Sequence, residues 1–381
     1  MPTEEIYRRL QQEIDKFPVP YPRTESGTEI KLLKLLFTPK EAEIAIHLSL
    51  LPESLQRIQK RVHRNGIKLQ ADELKEILDG LVDKGAILGK GIYETHGKKN
   101  YFSLAPFAIG FFENQVDIIT RPFAENAEKL MEESFHHHLF GEKKAQLRTI
   151  PISTAVTPEV AIEPYDSIRS YVANYKDKIV VINCVCEQSQ RARDIACSRT
   201  DLMERCLVFG DAARFVLSRG IGRVLTNDEA LDALNRAEQE NLVLQPQNSQ
   251  NPGFICCCCA ECCGALMALR LLEKPGQIVQ SNYQAKIKTE ECSDCEECVE
   301  ICPMQAILMD SGEMRVNKDR CIGCGICVPN CPSSAISLRK KEQLKIPKKT
   351  STQMYREMMF NRFGILPTIK SYLKYLMGMK I

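Results

Sequence analysis

Apolar residues return every three or four positions through most of the first eighty-five residues, the spacing of helices with one buried face. Residues 4–16 read as a short helix, and the proline-rich stretch FPVPYPRTESG ends it as a linker, so 1–27 forms a leading segment. Residues 29–37 place Ile30, Leu33, Leu36 and Phe37 on one face. Thr38-Pro39-Lys40-Glu41 is a capping box with proline in the first turn, and it opens a helix over 42–50. A short helix over 53–64 follows. The next, over 71–84, has Leu74, Ile77, Leu78 and Leu81 in a stripe and Gly85 to close it. AILGK and NYFSL flank the polar GIYETHGKK as the strands of a hairpin. Helices followed by a β-wing predict a winged-helix-like domain over 28–110.

Beyond it the period changes repeatedly. Residues 106–145 read as helix, with Phe111, Val116, Ile119, Phe123, Leu130 and Met131 packing along it, and predict a helical connector over 111–150. Residues 148–160 read as extended, 167–176 as helix, and 179–182 as a buried strand that delivers Cys184 and Cys186. Residues 200–219 read as one helix carrying Cys206 and stopped by Gly220. Val224 and Leu225 suggest a second strand. Thr226-Asn227-Asp228-Glu229 is another capping box, opening a helix to about 240, and NLVLQPQ reads as a returning strand. Residues 151–280 are thus expected to form a Cys-rich metal-binding α/β domain.

Charge changes the picture at two places. The 381-residue chain carries a net +2, which points to no nucleic acid. Its tail, 339–381, holds eleven Lys and Arg against Glu342 and Glu357. Tyr355, Met358, Met359, Phe360, Phe363, Tyr372, Tyr375, Leu376, Met377 and Met379 are interspersed. This predicts a basic amphipathic tail suited to an acidic partner or to peripheral membrane contact; the alternative is a terminal helix packed back on the acidic body. The helix before the wing, where a DNA-binding winged helix would read the groove, carries Asp72, Glu73, Glu76, Asp79 and Asp83 against Lys75 and Lys84. Phosphate repels such a helix, so protein docking is expected there and DNA is not. No segment reaches the ~18 apolar residues of a membrane span, and the charged N-terminus lacks a signal-peptide core, so a cytoplasmic location is expected. His136-His137-His138 sit on successive helical positions that diverge and are read as a solvated helix end; His47, His63 and His96 are given no role. GxGxxG, P-loop and Ser/His/Asp patterns are absent.

The cysteines carry the chemistry. There are 18, and in an intracellular chain that number points to metal ligands rather than disulfides. Cys292-x2-Cys295-x2-Cys298-x3-Cys302-Pro303 is repeated as Cys321-x2-Cys324-x2-Cys327-x3-Cys331-Pro332. Three thiols two residues apart can wrap three corners of a cubane cluster, while the fourth, expected at the start of the next helix, points to the other cluster. Cys292, Cys295, Cys298 and Cys331 are assigned to one cluster, and Cys321, Cys324, Cys327 and Cys302 to the second. Gly323 and Gly325 let backbone N–H groups approach the sulfurs. Residues 286–338 resemble the two-cluster bacterial ferredoxins. The resemblance implies two [4Fe-4S] clusters, a small pseudo-twofold fold and one-electron transfer.

Ten cysteines remain. Cys184, Cys186, Cys197 and Cys206 form one group, and Cys256-Cys257-Cys258-Cys259 with Cys262 and Cys263 form another. Cys184, Cys186, Cys197, Cys206, Cys256, Cys258, Cys259, Cys262 and Cys263 are the candidate ligands for one or two further [4Fe-4S] clusters. Each group could serve its own site, or the groups could mix, and zinc is a rival to iron. Cys262-Cys263-Gly264 resembles the CCG element of heterodisulfide reductase-type subunits, which hold a non-cubane cluster; the long spacings and second CCG of that family are missing. The whole chain resembles the 4Fe-4S dicluster proteins of anaerobic prokaryotes that begin with a winged-helix-like domain.

The expected fold class is therefore α+β multidomain. A winged-helix-like domain is followed by the Cys-rich middle domain, a ferredoxin-like domain over 281–338 and a helical tail. The expected function is electron transfer, as the electron-carrying subunit of a larger anaerobic oxidoreductase and in hetero-oligomeric contact with a redox partner. Two alternatives stand: an iron–sulfur redox sensor with a winged-helix output, and an enzyme acting at a middle-domain cluster.

Overall fold

The computed structural model describes residues 3–89, 100–135, 146–160 and 162–381. The polar turn with His96, the His136-His137-His138 run and the last part of the expected connector lie outside the described residues.

The N-terminal body is helical because its apolar stripes have one another to cover. Helix α1 (Thr3–Ile14) buries Ile6, Tyr7, Leu10 and Ile14 at 3–4 spacing. The proline-rich stretch after it is no exposed linker. Phe17, Val19 and Tyr21 are buried, and the Tyr21 hydroxyl donates to the Glu29 carbonyl at 2.7 Å. Helices α2 (Thr28–Leu36) and α3 (Pro39–Ala45) follow; the capping box at Thr38 is formed from both sides, with Glu41 Oε2 accepting from the Thr38 N–H at 2.8 Å. Then come β1 (Glu53–Ser54), α4 (Leu55–Arg64), α5 (Ala71–Asp83), β2 (Ile87–Leu88) and β3 (Tyr101–Leu104). The three strands pair antiparallel in the order β1–β3–β2.

The expected single connector helix is broken. Ala108, Ile109 and Gly110 leave helical geometry, with Ile109 at φ 55°, and α6 (Arg121–Leu130) starts only after that break. A left-handed β-branched residue costs roughly 1–2 kcal/mol. What opposes that cost is aromatic packing. Phe107 stacks among Tyr21, Phe111, Phe112 and Phe135, the last with ring centroids 4.9 Å apart.

The middle of the chain contains α7 (Ile168–Ala173), β4 (Ile179–Asn183), α8 (Val185–Arg191), β5 (Glu204–Phe209), α9 (Gly210–Ser218), β6 (Arg223–Leu225), α10 (Asn227–Gln239), β7 (Val243–Pro246), β8 (Ser249–Asn251), β9 (Phe254–Cys258) and α11 (Gly264–Leu271). Five of these strands form one sheet in the order β6–β4–β5–β9–β7, and every neighbour is antiparallel. That is an α+β arrangement rather than the alternating α/β layout expected. Residues 200–219 are not one helix: β5 ends and α9 begins at Gly210, whose φ of 56° turns the chain between them. Cys206 therefore lies on a strand. Alternation along the strands gives the sheet two apolar faces. Val180, Ile182 and Val208 join α9 and the N-terminal core, while Ile179, Val181 and Leu207 join α10 and a second core.

The last third adds a short turn α12 (Pro275–Ile278), β10 (Tyr283–Ile287), α13 (Glu297–Ile301), the hairpin β11 (Ile307–Asp310) and β12 (Glu313–Val316), and β13 (Ile336–Lys340), which pairs with β10. This unit shares the second core, and the Ile152 N–H donates to the Cys324 carbonyl at 3.0 Å. The tail divides in two. Strand β14 (Lys348–Thr350) pairs parallel with β8, and α14 (Ser351–Phe363) buries Met354 and Met358 in the N-terminal core. Helix α15 (Ile365–Leu376) buries none of its residues. No helix among the described residues is long and apolar enough to cross a membrane.

Candidate metal centres

The two cysteine runs fold into two loops of the same backbone shape. Asp294 and Glu296 in the first and Gly323 and Gly325 in the second stand at matching positions, and all four have positive φ, from 52° to 80°. Positive φ alone thus does not demand glycine here; the surroundings do. A Cβ on Gly323 would lie 2.1 Å from the Tyr283 carbonyl oxygen, and one on Gly325 would lie 2.6 Å from the Ala155 Cβ. The first loop faces water, and its Asp294 and Glu296 are exposed.

The fourth cysteines cross over. Cys302 lines one small cavity with Cys321, Cys324 and Cys327, and Cys331 lines another with Cys292, Cys295 and Cys298. Cys302 caps the C-terminus of α13 in extended geometry ahead of Pro303; it ends a helix instead of opening one. Backbone N–H groups aim at the sulfurs: Ala285 at Cys321 Sγ (3.4 Å) and Ala306 at Cys302 Sγ (3.2 Å). Burial pushes the Cys321, Cys324 and Cys327 thiols up. Without a cation these sulfurs keep their protons, so a metal must displace them. Four thiols per cavity fit an iron–sulfur cluster at each, and the Cys321 set adds the inward N–H donors.

The middle-domain cysteines mix their two groups. Cys197, Cys259 and Cys262 meet with all three Sγ atoms within 4.8 Å of one another, close enough to share one metal ion. Ser198 clamps this junction, its N–H and hydroxyl donating to the Glu261 carboxylate at 2.8 and 2.7 Å. The other set lies on one sheet face. Cys206 on β5 is in register with Cys256 on β9, and their Sγ atoms are 3.9 Å apart. Cys258 shares that face by alternation, and Cys257 points to the opposite one. The neighbours then run from Cys258 to Cys263, Cys186 and Cys184. Cys184 caps α8, and Cys263 caps α11.

Sequence reasoning missed what lies between the two sets. Arg205 is buried on β5 and pairs with the equally buried Glu187 at 2.7 Å. Among the described residues its Nε and Nη1 make no hydrogen bond of ordinary geometry, although the guanidinium lies against the Cys184 thiol. Burial opposes its charge, but Cys184, Cys259 and Glu187 more than offset that and raise its pKa. The Cys262 hydrogen bond and the Arg205 guanidinium hold Cys259 well below the ordinary thiol range, against its burial. A buried guanidinium set against thiols is suited to anionic sulfur. The alternation in ERCLVF is the signal that could have placed Arg205 and Cys206 on opposite faces of a strand.

A cavity of about 930 Å³ is lined by Cys184, Cys186, Cys206, Cys256, Cys258 and Cys263, with Cys257, Cys259 and Arg205 also reaching its wall. Phe107, Phe112, Phe215 and Phe254 supply apolar wall, and Tyr355 reaches it from the tail. Glu113 also lines it; burial pushes its carboxyl up to about 7 despite hydrogen bonds from the backbone around Gly110. A separate cleft of about 530 Å³ is bordered by Cys258 and Cys259 on one side and Cys302 on the other.

Residues 285–338 match the family described as the 4Fe-4S dicluster domain. The C-terminal unit is therefore a dicluster ferredoxin-like domain, and the protein has an iron–sulfur, electron-transfer character. No curated protein and no solved structure matches the chain.

Proposed function

We propose that this protein carries single electrons as a subunit of a larger oxidoreductase. The observation that carries the reading is the gathering of the ferredoxin-type cysteines into two four-thiol sets with their fourth members exchanged. [4Fe-4S] clusters held there supply reversible one-electron transfer. Cys292, Cys295, Cys298 and Cys331 hold the outer one, and Cys302, Cys321, Cys324 and Cys327 the inner one. Cys302 turns the inner set toward the cleft that Cys258 and Cys259 border, which supports a relay into the middle domain. Changing Cys331 to Ser is expected to abolish the resonance signal of the outer set while the set containing Cys321 keeps its own. Loss at the Cys321 set alone would refute the exchange.

The N-terminal domain supports assembly rather than DNA contact. Its order of helix, strand, helix, helix and hairpin, with the sheet order β1–β3–β2, favours a winged-helix reading. The two bases near α5 are engaged, Lys75 with Asp79 at 2.5 Å and Lys84 with Glu41 at 2.6 Å, which leaves little for phosphate.

The partner surface we assign is α15. Ile365, Leu366, Ile369, Tyr372, Leu373 and Leu376 are all exposed, Leu366 at 80%, and fall at helical spacing, with Lys370 and Lys374 beside them in the sequence. An apolar stripe edged with lysine suits an acidic-rimmed groove on a partner protein. Leu366→Glu with Leu373→Glu should change stability by less than about 1 kcal/mol, since both sites are exposed. Co-purification of the partner should fail. If the partner stays and binding to anionic vesicles disappears instead, the stripe faces a membrane and the assignment falls.

A further inference from the structure

The inner middle-domain cysteines are arranged differently from the edge set. Among the described residues, only Cys197, Cys259 and Cys262 bring three ligand atoms within 4.8 Å of one another. Ligands on a single zinc ion, each about 2.3 Å from the metal, must stand about that close. The inner thiols run in a row along a sheet face and two helix starts, with neighbours as close as 3.9 Å but no three gathered together, and the two ferredoxin sets likewise lack so tight a triplet. Thiols spread in this way suit the separate corners of a multi-iron cluster. Their number exceeds what one cubane accepts, since it offers about four iron corners. The 930 Å³ chamber in front of them leaves room for bridging sulfide and for a small molecule besides. Arg205, which also lines the chamber and is 2% exposed in its side chain, sets its guanidinium against Cys184. It is the counter-charge that an anionic cluster in an apolar wall requires.

We propose that Cys184, Cys186, Cys206, Cys256, Cys258 and Cys263 hold a separate iron–sulfur cluster with more irons than one cubane, and that one side of it opens on the chamber. This deepens the electron-carrier reading and rests on it. The cluster gives the relay a terminus at which a small molecule can reach iron. Cys197, Cys259 and Cys262 form a distinct single-ion site at the edge.

The test uses the full chain, purified without air and analysed for iron, acid-labile sulfide and zinc. Iron and sulfide are expected beyond the roughly eight of each that two cubanes need. The Cys256→Ser, Cys258→Ser double variant should lose that excess alone and keep both ferredoxin signals. Cys197→Ser should leave the excess intact. Because serine in a buried wall can unfold the domain, a second measurement uses the unaltered protein. Iodoacetamide should spare the six thiols until the metal is removed by acid and chelator, and then label them. Cyanide should shift the resonance of the excess iron only. No excess iron, an excess that survives the double variant, zinc in its place, six thiols alkylated in the loaded protein, or indifference to cyanide would each overturn the proposal. Absence of iron from residues 285–338 would instead overturn the electron-carrier reading beneath it.

Discussion

A chain ending at Thr350 is expected to lose the cooperative fold of its N-terminal body, whereas one ending at Gly364 is expected to keep it. Met354 and Met358, at 3% and 5% exposure, lie in the N-terminal core. Removing a buried methionine side chain costs ~2–5 kcal/mol, so the pair costs ~4–10. A whole domain has only ~5–15 to lose. The same cut removes the contact of the Tyr355 hydroxyl with Gln146 Nε2 (3.1 Å) and of Arg362 with the Asp15 carbonyl (2.6 Å). The shorter cut gives up mainly the Tyr375 bond to the Pro52 carbonyl and the Lys380–Glu13 pair. Those are part-buried polar contacts, worth ~1–3 kcal/mol each. Urea denaturation followed by circular dichroism separates the two cases. An unchanged midpoint in the chain cut at Thr350 would show α14 to be an appendage after all.

Gly323→Ala should empty the inner ferredoxin site, while Gly312→Ala should do almost nothing. Both glycines have positive φ, 70° and 85°, so both substitutions carry the same ~1 kcal/mol of backbone cost. They part in their surroundings. Among the described residues nothing lies within 4 Å of a Cβ at Gly312, whereas one at Gly323 meets the Tyr283 oxygen at 2.1 Å and the Tyr283 carbonyl carbon at 2.6 Å. Both atoms are backbone of β10, which is fixed in register against β13, so the loop must move instead. Its movement displaces Cys321 and Cys324. About half the ferredoxin iron should be missing from Gly323→Ala and none from Gly312→Ala. Equal iron in the two variants would mean the loop tolerates the shift.

The parts of the fold that were legible are those fixed within a few residues. Both capping boxes form, at Thr38 and Thr226, because the groups that satisfy the first helical N–H donors lie three positions away. The cysteine spacing was legible for the same reason: each loop wraps its site with its own backbone. What escaped depends on distant company. Residues 204–218 contain enough helix formers to read as helix throughout, yet 204–209 extend because β4 and β9 flank them. The proline-rich stretch read as a linker until the α1 and α2 contacts buried Tyr21. The thiol sets of the middle domain could not be divided from spacing, since Cys258 and Cys259 are neighbours that serve different sets. Strand pairing turns Cys258, while Cys259 has already left the strand.

The outer ferredoxin loop has a practical consequence for anyone handling the protein. Cys295 is the one exposed cysteine of the chain, while Cys324 and Cys327 of the inner loop are buried. Oxidants and thiol reagents attack by access. Damage in air should therefore proceed from the outside inward, taking iron from the set of Cys292, Cys295, Cys298 and Cys331 first. A preparation with too little metal would not be a random mixture of defects. It would be a population missing the same site, homogeneous enough in spectra to be mistaken for a protein that never had it.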